Sequence, residues 1–436
     1  MIVIVGGGLA GLSTAFHLRD LPHLVLEAEE TPGGLCRTRE MEGFAFDYTG
    51  HLLHLRDPRA RALVDELLPG VFRVIERKAY IRTLGATLPF PFQANLHGLP
   101  REIVADCLIA FSESLGAPKI HDEEVSFHDW SLGVFGRGIS EAFMFPYNTK
   151  LFRRAPQEMT ADWVSWAVPK PSLSEVVRGA LGMENRGLGY NATFGYPSAG
   201  GIGVLPAAFA ERVKGLKCGT RVEMVDLDAR RVTTSRGETI GYDRLVVTMP
   251  LAAFLRTTRG GPPGLKDLAR DLDWSVVGCL NLGVDRPGVG DGAHWIYFPD
   301  ADVPFYRVGF PTNFSDGVAP RGTSSLYVEF GWRRGETVDL VRLEEDALAA
   351  LTKEGILHST DRIVVRDWIR IEPGYVIFDR ARRQVMARVG PLLEAIGVHL
   401  IGRYGAWTYS YMERAMLDGM ELAGRLREAS ERTSRR

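Results

Sequence analysis

The sequence predicts an α/β protein organised on a parallel, doubly wound sheet, and three features near its start carry that prediction. The first is the continuous apolar run Ile2 to Val5, which suits a strand buried on both faces. The second is Gly6-Gly7-Gly8-Leu9-Ala10-Gly11, which places G-x-G-x-x-G directly after that run. The third is another short apolar strand, Leu24 to Leu26, ending in Glu27, 16 residues beyond Gly11.

In a chain with 48 glycines the motif alone is weak, so its context matters. Leu9, Leu12 and Phe16 fall at helical spacing, which completes a strand–turn–helix unit of Rossmann type. Gly6 permits the tight turn, Gly8 lets the backbone approach a pyrophosphate, and Gly11 lets the helix pack on the strand. The helix N-terminus then offers unpaired N–H groups and a positive dipole end to phosphate. Glu27 stands where a carboxylate would receive the adenosine ribose hydroxyls. The other reading of the glycines is a structural turn.

The segment just beyond Glu27 argues for flavin over nicotinamide. Glu30-Thr31-Pro32-Gly33-Gly34-Leu35-Cys36-Arg37-Thr38 supplies a second glycine pair and an arginine beside the same pyrophosphate. It resembles the second dinucleotide motif of the flavoprotein superfamily containing amine oxidases, protoporphyrinogen oxidase and UDP-galactopyranose mutase. Late in the chain, Val398 to Ile401 reads as a buried strand running into Gly402-Arg403 and a helical segment from about Met412. That placement resembles the superfamily's last flavin-binding element, in which the helix N-terminus faces the flavin. Three separated segments in this order imply FAD.

The flavin-binding segments lie at both ends, so the expected organisation is discontinuous. Residues 1–96, 190–262 and 376–436 form a Rossmann-type FAD-binding domain, 97–189 an inserted helical domain, and 263–375 an antiparallel β-sheet substrate domain. Short strands are expected at Arg221–Leu227, Arg230–Thr234 and Leu245–Thr248. Further strands are expected at Val276–Val284, Trp295–Phe298, Phe305–Phe310, Leu326–Phe330 and Ile363–Ile371, with a helix at Val341–Glu354 between the last two. Helical patterning starts at Pro100 and recurs through Ile139, Phe143, Met144 and Tyr147.

Composition narrows the function classes. With 52 Lys plus Arg against 54 Asp plus Glu, the net charge is −2, and no dense basic run precedes the C-terminal tail, so no nucleic-acid partner is expected. No apolar run approaches the ~18 residues of a membrane span. Cys36, Cys107, Cys218 and Cys279 are far apart and form no C-x-x-C, which suits reduced thiols. The chain opens on a strand with no leader pattern before it. A cytoplasmic protein is the expectation.

Across nearly its whole length the sequence resembles the UDP-galactopyranose mutase family, most of all its eukaryotic-type branch. Gly43-Phe44 to Asp47 with Gly50-His51-Leu52 resembles the segment beside the isoalloxazine, and Pro89 to Asn95 another family segment. Pro146-Tyr147-Asn148 with Lys150, then Met159 and Trp163, resembles the stretch lining the uridine pocket. Asn191 to Phe194, Trp295 to Pro299, Pro304 to Arg307, Gly374-Tyr375 and Gly402 to Tyr409 complete the match.

The resemblance implies a flavin-dependent mutase interconverting pyranose and furanose forms of a nucleotide-linked sugar, with reduced flavin N5 as nucleophile and the nucleoside diphosphate as leaving group. It puts His51 and Arg307 in catalytic positions, Arg307 as a cation beside the departing diphosphate. Phe92, Gln93, Trp163, Asn191, Tyr297, Tyr375 and Tyr409 become substrate-binding candidates. Gly6, Gly8, Gly11, Glu27, Gly33, Gly34, Arg37, Gly50, His51, Val222, Arg403 and Met412 become cofactor-binding ones. A nucleotide sugar is the implied substrate and NAD(P)H the implied reductant, although no second dinucleotide motif is present.

Each residue also has a plainer reading. Arg307 could pair with a surface carboxylate, and a β-rich domain uses tyrosine freely at half-buried positions. His51 and His54 have H-x-x-H spacing, yet without an acid or cysteine cluster no metal is expected. The family's second diphosphate arginine falls here on Ala167, with Lys170, Arg153 and Arg154 as substitutes. That departure leaves open a different substrate, or an FAD-dependent oxidoreductase of the amine oxidase or protoporphyrinogen oxidase type. A flavin-binding protein without catalysis is the third class.

Overall fold

The computed structural model of the protein describes residues 1–116, 125–164, 168–183, 185 and 192–434. Its first sheet has five parallel strands in the order Val398–Leu400, Arg244–Val247, Ile2–Val5, His23–Leu26 and Leu216–Lys217. Strands from the start, middle and end of the chain thus lie side by side. Ile2–Val5 is buried along its whole length, as its unbroken apolar sequence requires. The Leu9–His17 helix leaves its end and packs against the closing helix Met412–Ser434, where Ser13 Oγ donates to Met416 O at 2.6 Å.

A seven-stranded sheet supplies the second layer. Its order is Ile363–Ile371, Ser275–Val284, Ser324–Arg333, Arg307–Gly309, Trp295–Tyr297, Ala79–Thr83 and Ala86–Pro89. All pairings are antiparallel except that of Trp295–Tyr297 with Ala79–Thr83. The last two strands, grouped by the sequence with the nucleotide-binding segments, hydrogen-bond into this sheet instead. The period-two alternation of strands divides its faces. Val276, Leu280, Leu282, Ile296, Val308, Leu326, Val328 and Phe330 point to one core, closed by Ala347 and Leu351 of the Leu340–Lys353 helix. Asp339 caps that helix by accepting from Val341 N and Arg342 N at 3.1 and 3.2 Å. The opposite face carries Val277, Cys279, Tyr327, Ile369 and Ile371.

The chain between the Ala86–Pro89 and Thr193–Pro197 strands contributes the helices Arg101–Ser114, Phe127–Ile139, Phe145–Phe152 and Leu173–Ala180. A π-helical turn at Ser140–Met144 joins the second to the third, inside the segment whose apolar spacing signals helix. The expected strand Phe305–Phe310 shortens at both ends to Arg307–Gly309, and Pro311 opens a 3₁₀ turn just beyond it. All four cysteines are free thiols. Among the described residues no helix is long and apolar enough to cross a membrane.

Candidate active site

A cleft of about 1010 Å³ runs from the ends of the parallel strands to the face of the seven-stranded sheet that carries Val277, Tyr327 and Ile369. Its floor at one end is built from glycines. Gly6 has φ +108°, and a Cβ there would collide with Thr248 Oγ1. Gly8 and Gly34 face each other so closely that a Cβ on Gly34 would sit 3.3 Å from Gly8 Cα, and Gly8 bridges to Gly33. The two glycine pairs separated in sequence therefore form one backbone cradle at the start of the Leu9–His17 helix. Gly11 stays outside the cleft and sets the helix close on the strand, where a Cβ would collide with Gly6 O.

Glu27, Arg37, Gly50, His51, Val222, Arg403 and Met412 also line the cleft. Glu27 is buried, and its carboxylate accepts from Gly7 N at 2.6 Å and Glu29 N at 2.8 Å. Arg37 donates through Nε to Gly34 O at 2.9 Å and lies 4.7 Å from the Tyr48 ring centroid, bracing the second glycine pair. Gly50 rests on the Tyr327 hydroxyl, which leaves no room for a Cβ. Removal from water lowers the His51 imidazole to about 4, and the Arg403 guanidinium adds to the fall, so the ring is neutral at physiological pH. Arg403 donates to Ser410 O at 3.0 Å and Gly374 O at 3.3 Å, while its buried Nε has no hydrogen-bond partner among the described residues. A cradle without Cβ atoms, a carboxylate beyond it and an unmet guanidinium N–H fit an elongated nucleotide cofactor.

At the other end, Tyr297, Tyr306, Arg307, Tyr327, Tyr375 and Tyr409 line the same cleft. Arg307 donates from Nε to Glu329 Oε2 at 2.9 Å and from Nη2 to Glu329 Oε1 at 2.7 Å. Burial, the largest single influence, lowers the guanidinium, but Glu329 together with the phenols of Tyr327, Tyr375 and Tyr297 holds Arg307 well above its usual value. Burial raises the phenols of Tyr306, Tyr327, Tyr375 and Tyr409, which keeps them protonated donors. The Arg403 guanidinium stands 5.2 Å from the Tyr375 ring and 5.0 Å from that of Tyr409.

Three substrate candidates do not reach the cleft wall, because core packing occupies their side chains. Phe92 is fully buried and stacked on Phe143 at 5.1 Å. Gln93 donates through Nε2 to Pro169 O at 2.6 Å. Trp163 packs against Phe127 and Phe152 at 5.3 and 5.1 Å and meets the Tyr409 ring edge-on at 6.2 Å. Asn191 and Ala167 lie outside the described residues. The suggested substitutes for a second arginine are engaged elsewhere. Lys170 lies 5.3 Å from the Trp130 ring, Arg154 pairs with Asp273, and Arg153 is 3.9 Å from Glu336. Glu329 is the residue that sequence reasoning missed. Its signal was a lone carboxylate in the apolar run Leu326 to Phe330, a position that burial permits only with a partner. Among the described residues no group of three or more potential ligands could hold a metal ion.

A family model for flavin containing amine oxidoreductases matches residues 9–427. Among solved structures, reduced UDP-galactopyranose mutase is similar at 29% identity over 98% of this chain and 94% of that one, with a TM-score of 0.92. Wild-type putrescine oxidase bound to putrescine is similar at 16% identity, with 98% of both chains covered and a TM-score of 0.69. An oxidoreductase from Methanosarcina mazei gives 16% identity over 97% of this chain and 99% of that one, with a TM-score of 0.66. The last two likenesses are of fold. With the glycine cradle and this match, the chain is a flavoprotein that belongs to the flavin containing amine oxidoreductase family.

Proposed function

We propose that the protein is a flavin-dependent mutase that interconverts the pyranose and furanose forms of a nucleotide-linked sugar of the UDP-galactopyranose kind. The observation that carries this reading is the convergence of Arg307, Tyr297, Tyr375 and Tyr409 on the cleft into which the glycine cradle opens. The similarity to UDP-galactopyranose mutase over 98% of the chain supports it.

FAD in its reduced form supplies the nucleophile when bound, held by Gly6, Gly8, Gly33, Gly34, Glu27 and Arg403. The chain's own part is to place the substrate and steady the charge that leaves. Arg307 uses Nε and Nη2 for Glu329, so the pair is close to neutral overall and Nη1 lies outside it. It therefore acts as a rigidly aimed donor more than as a net charge. The hydroxyls of Tyr297, Tyr375 and Tyr409 add donors for phosphate oxygens, and Arg403 is a second guanidinium bordering the rings of Tyr375 and Tyr409. Fixed donors already pointing at the departing diphosphate need no reorganisation when charge develops there. His51, neutral and half-buried, shapes the wall beside the cofactor through its backbone.

In this reading electrons come from a reduced nicotinamide, and the enzyme works in the cytoplasm, in keeping with four free thiols. The test is to incubate dithionite-reduced and oxidised protein with UDP-galactopyranose and look for the furanose. Product with the reduced enzyme alone supports the mutase. Flavin bleaching by substrate, with no furanose, would assign an oxidoreductase instead. Anaerobic mixing with NADPH and NADH reads the electron source.

A further inference from the structure

Lys150 seats its ammonium in a cage of backbone oxygens. Its Nζ lies 2.7 Å from Phe298 O, 2.9 Å from Asp300 O, 2.8 Å from Val303 O and 2.7 Å from Phe305 O. An ammonium has three N–H donors, so four inward carbonyls hold it much as they would a bare monovalent cation. Burial lowers the ammonium to about 7 and the Asp300 and Asp302 charges oppose that fall, but their carboxylates make their hydrogen bonds elsewhere. Asp300 accepts from Thr83 Oγ1 and Leu84 N, and Asp302 pairs with Lys353 at 3.0 Å.

All four carbonyls belong to one short loop, residues 298–305, and that loop closes the hairpin between Trp295–Tyr297 and Arg307–Gly309. Within the hairpin Tyr297 stands directly opposite Arg307. The loop's own backbone supplies only Val303 N to Asp300 O, at 3.3 Å, as a donor to the four caged oxygens. Without the ammonium the other three would have to turn towards water, and the loop with them. Two further contacts tie the Phe145–Phe152 helix to the same wall. Tyr147, one turn before Lys150, meets the Tyr297 and Tyr306 rings edge-on at 5.3 and 6.3 Å. The Lys150 carbonyl packs onto Gly331, where a Cβ would collide with it, two residues from Glu329.

We propose that Lys150 is a positioning residue whose caged ammonium locks the 298–305 loop and thereby fixes the spacing of Tyr297 and Arg307 across the substrate end of the cleft. The inference rests on the mutase reading for the identity of the ligand that this spacing serves. Arginine cannot take its place, because a planar fork of five donors does not fit a compact cage built for one nitrogen.

The experiment uses the full flavin-loaded chain with Lys150→Ala, Lys150→Met and Lys150→Arg, reading UDP affinity, turnover and hydrogen exchange of the 298–305 amides. All three variants are expected to keep the flavin spectrum of the wild type and to raise the UDP Kd about tenfold or more. Exchange in the loop should quicken. In Lys150→Ala, methylammonium or ethylammonium should restore affinity and slow exchange, whereas tetramethylammonium at equal ionic strength should not. If Lys150→Ala fails to fold, the neutral isostere Lys150→Met decides by its UDP Kd and loop exchange. A wild-type Kd in Lys150→Met overturns the proposal, as does full activity in Lys150→Arg. If the wild type itself binds no UDP, the mutase reading falls, and ammonium-dependent protection of the loop still decides whether the cage locks it.

Discussion

Arg307 and Glu329 stand directly opposite each other on neighbouring antiparallel strands and are joined by two near-parallel hydrogen bonds, at 2.9 and 2.7 Å, with the carboxylate side chain fully buried. On its other side Arg307 is opposite Tyr297. One row across the sheet therefore carries a phenol, a guanidinium and the carboxylate that orients it. Removing one partner leaves a buried charge alone, which costs about 3–5 kcal/mol. Glu329→Ala is expected to lose that much stability by denaturant unfolding. Glu329→Gln should stay folded yet lose about 10²-fold in kcat/KM, since Arg307 is no longer aimed. Wild-type kcat/KM in Glu329→Gln would remove the orienting role.

The tyrosines and the buried aromatics behind them should separate by readout. Tyr375→Phe and Tyr409→Phe each delete one donor facing the cleft and are expected to weaken UDP binding about tenfold with little change in stability. Phe92→Ala empties a packed core position. It should cost about 3–5 kcal/mol of stability and leave the UDP Kd of the folded fraction near that of the wild type. Titration of each purified variant with UDP checks the contrast.

Gly6→Ala tests the cradle. Its backbone lies at φ +108° and the added methyl would strike Thr248, so the turn must open. The variant is expected to purify without the yellow flavin absorbance and to show weaker reconstitution with added FAD.

Acid should destabilise the fold through His294, which is 3% exposed and accepts from Lys78 N at 3.2 Å. Burial lowers its imidazole from the ordinary 6.5 to about 4, with the Lys78 charge adding to the fall. The unfolded chain then binds the proton first as pH drops. The stabilisation is complete above pH 6.5 and is lost progressively down to pH 4, by up to about 3 kcal/mol. Urea unfolding across this range should give a flatter pH slope for His294→Gln than for the wild type. Equal slopes would reject the assignment.

The nucleotide-binding half was legible in the sequence because its signals are local. Gly6, Gly8 and Gly11 follow a buried strand at fixed spacing, and the backbone geometry that each glycine permits is decided within a few residues. The strand-like runs Val276–Val284 and Leu326–Phe330 likewise announced the second sheet before its partners were known, and they lie within Ser275–Val284 and Ser324–Arg333. What the sequence could not settle was which distant residues meet. Ala79–Thr83 and Ala86–Pro89 joined the seven-stranded sheet through a parallel pairing that no nearby turn specifies. Phe92, Gln93 and Trp163 went to the core, since an aromatic or amide suits a pocket wall and a packed interior equally well. Glu329 came to face Arg307, and Lys150 the 298–305 loop, only through strand register and helix docking. Those are fixed by the burial of whole elements, a property summed over many residues and carried by none of them alone.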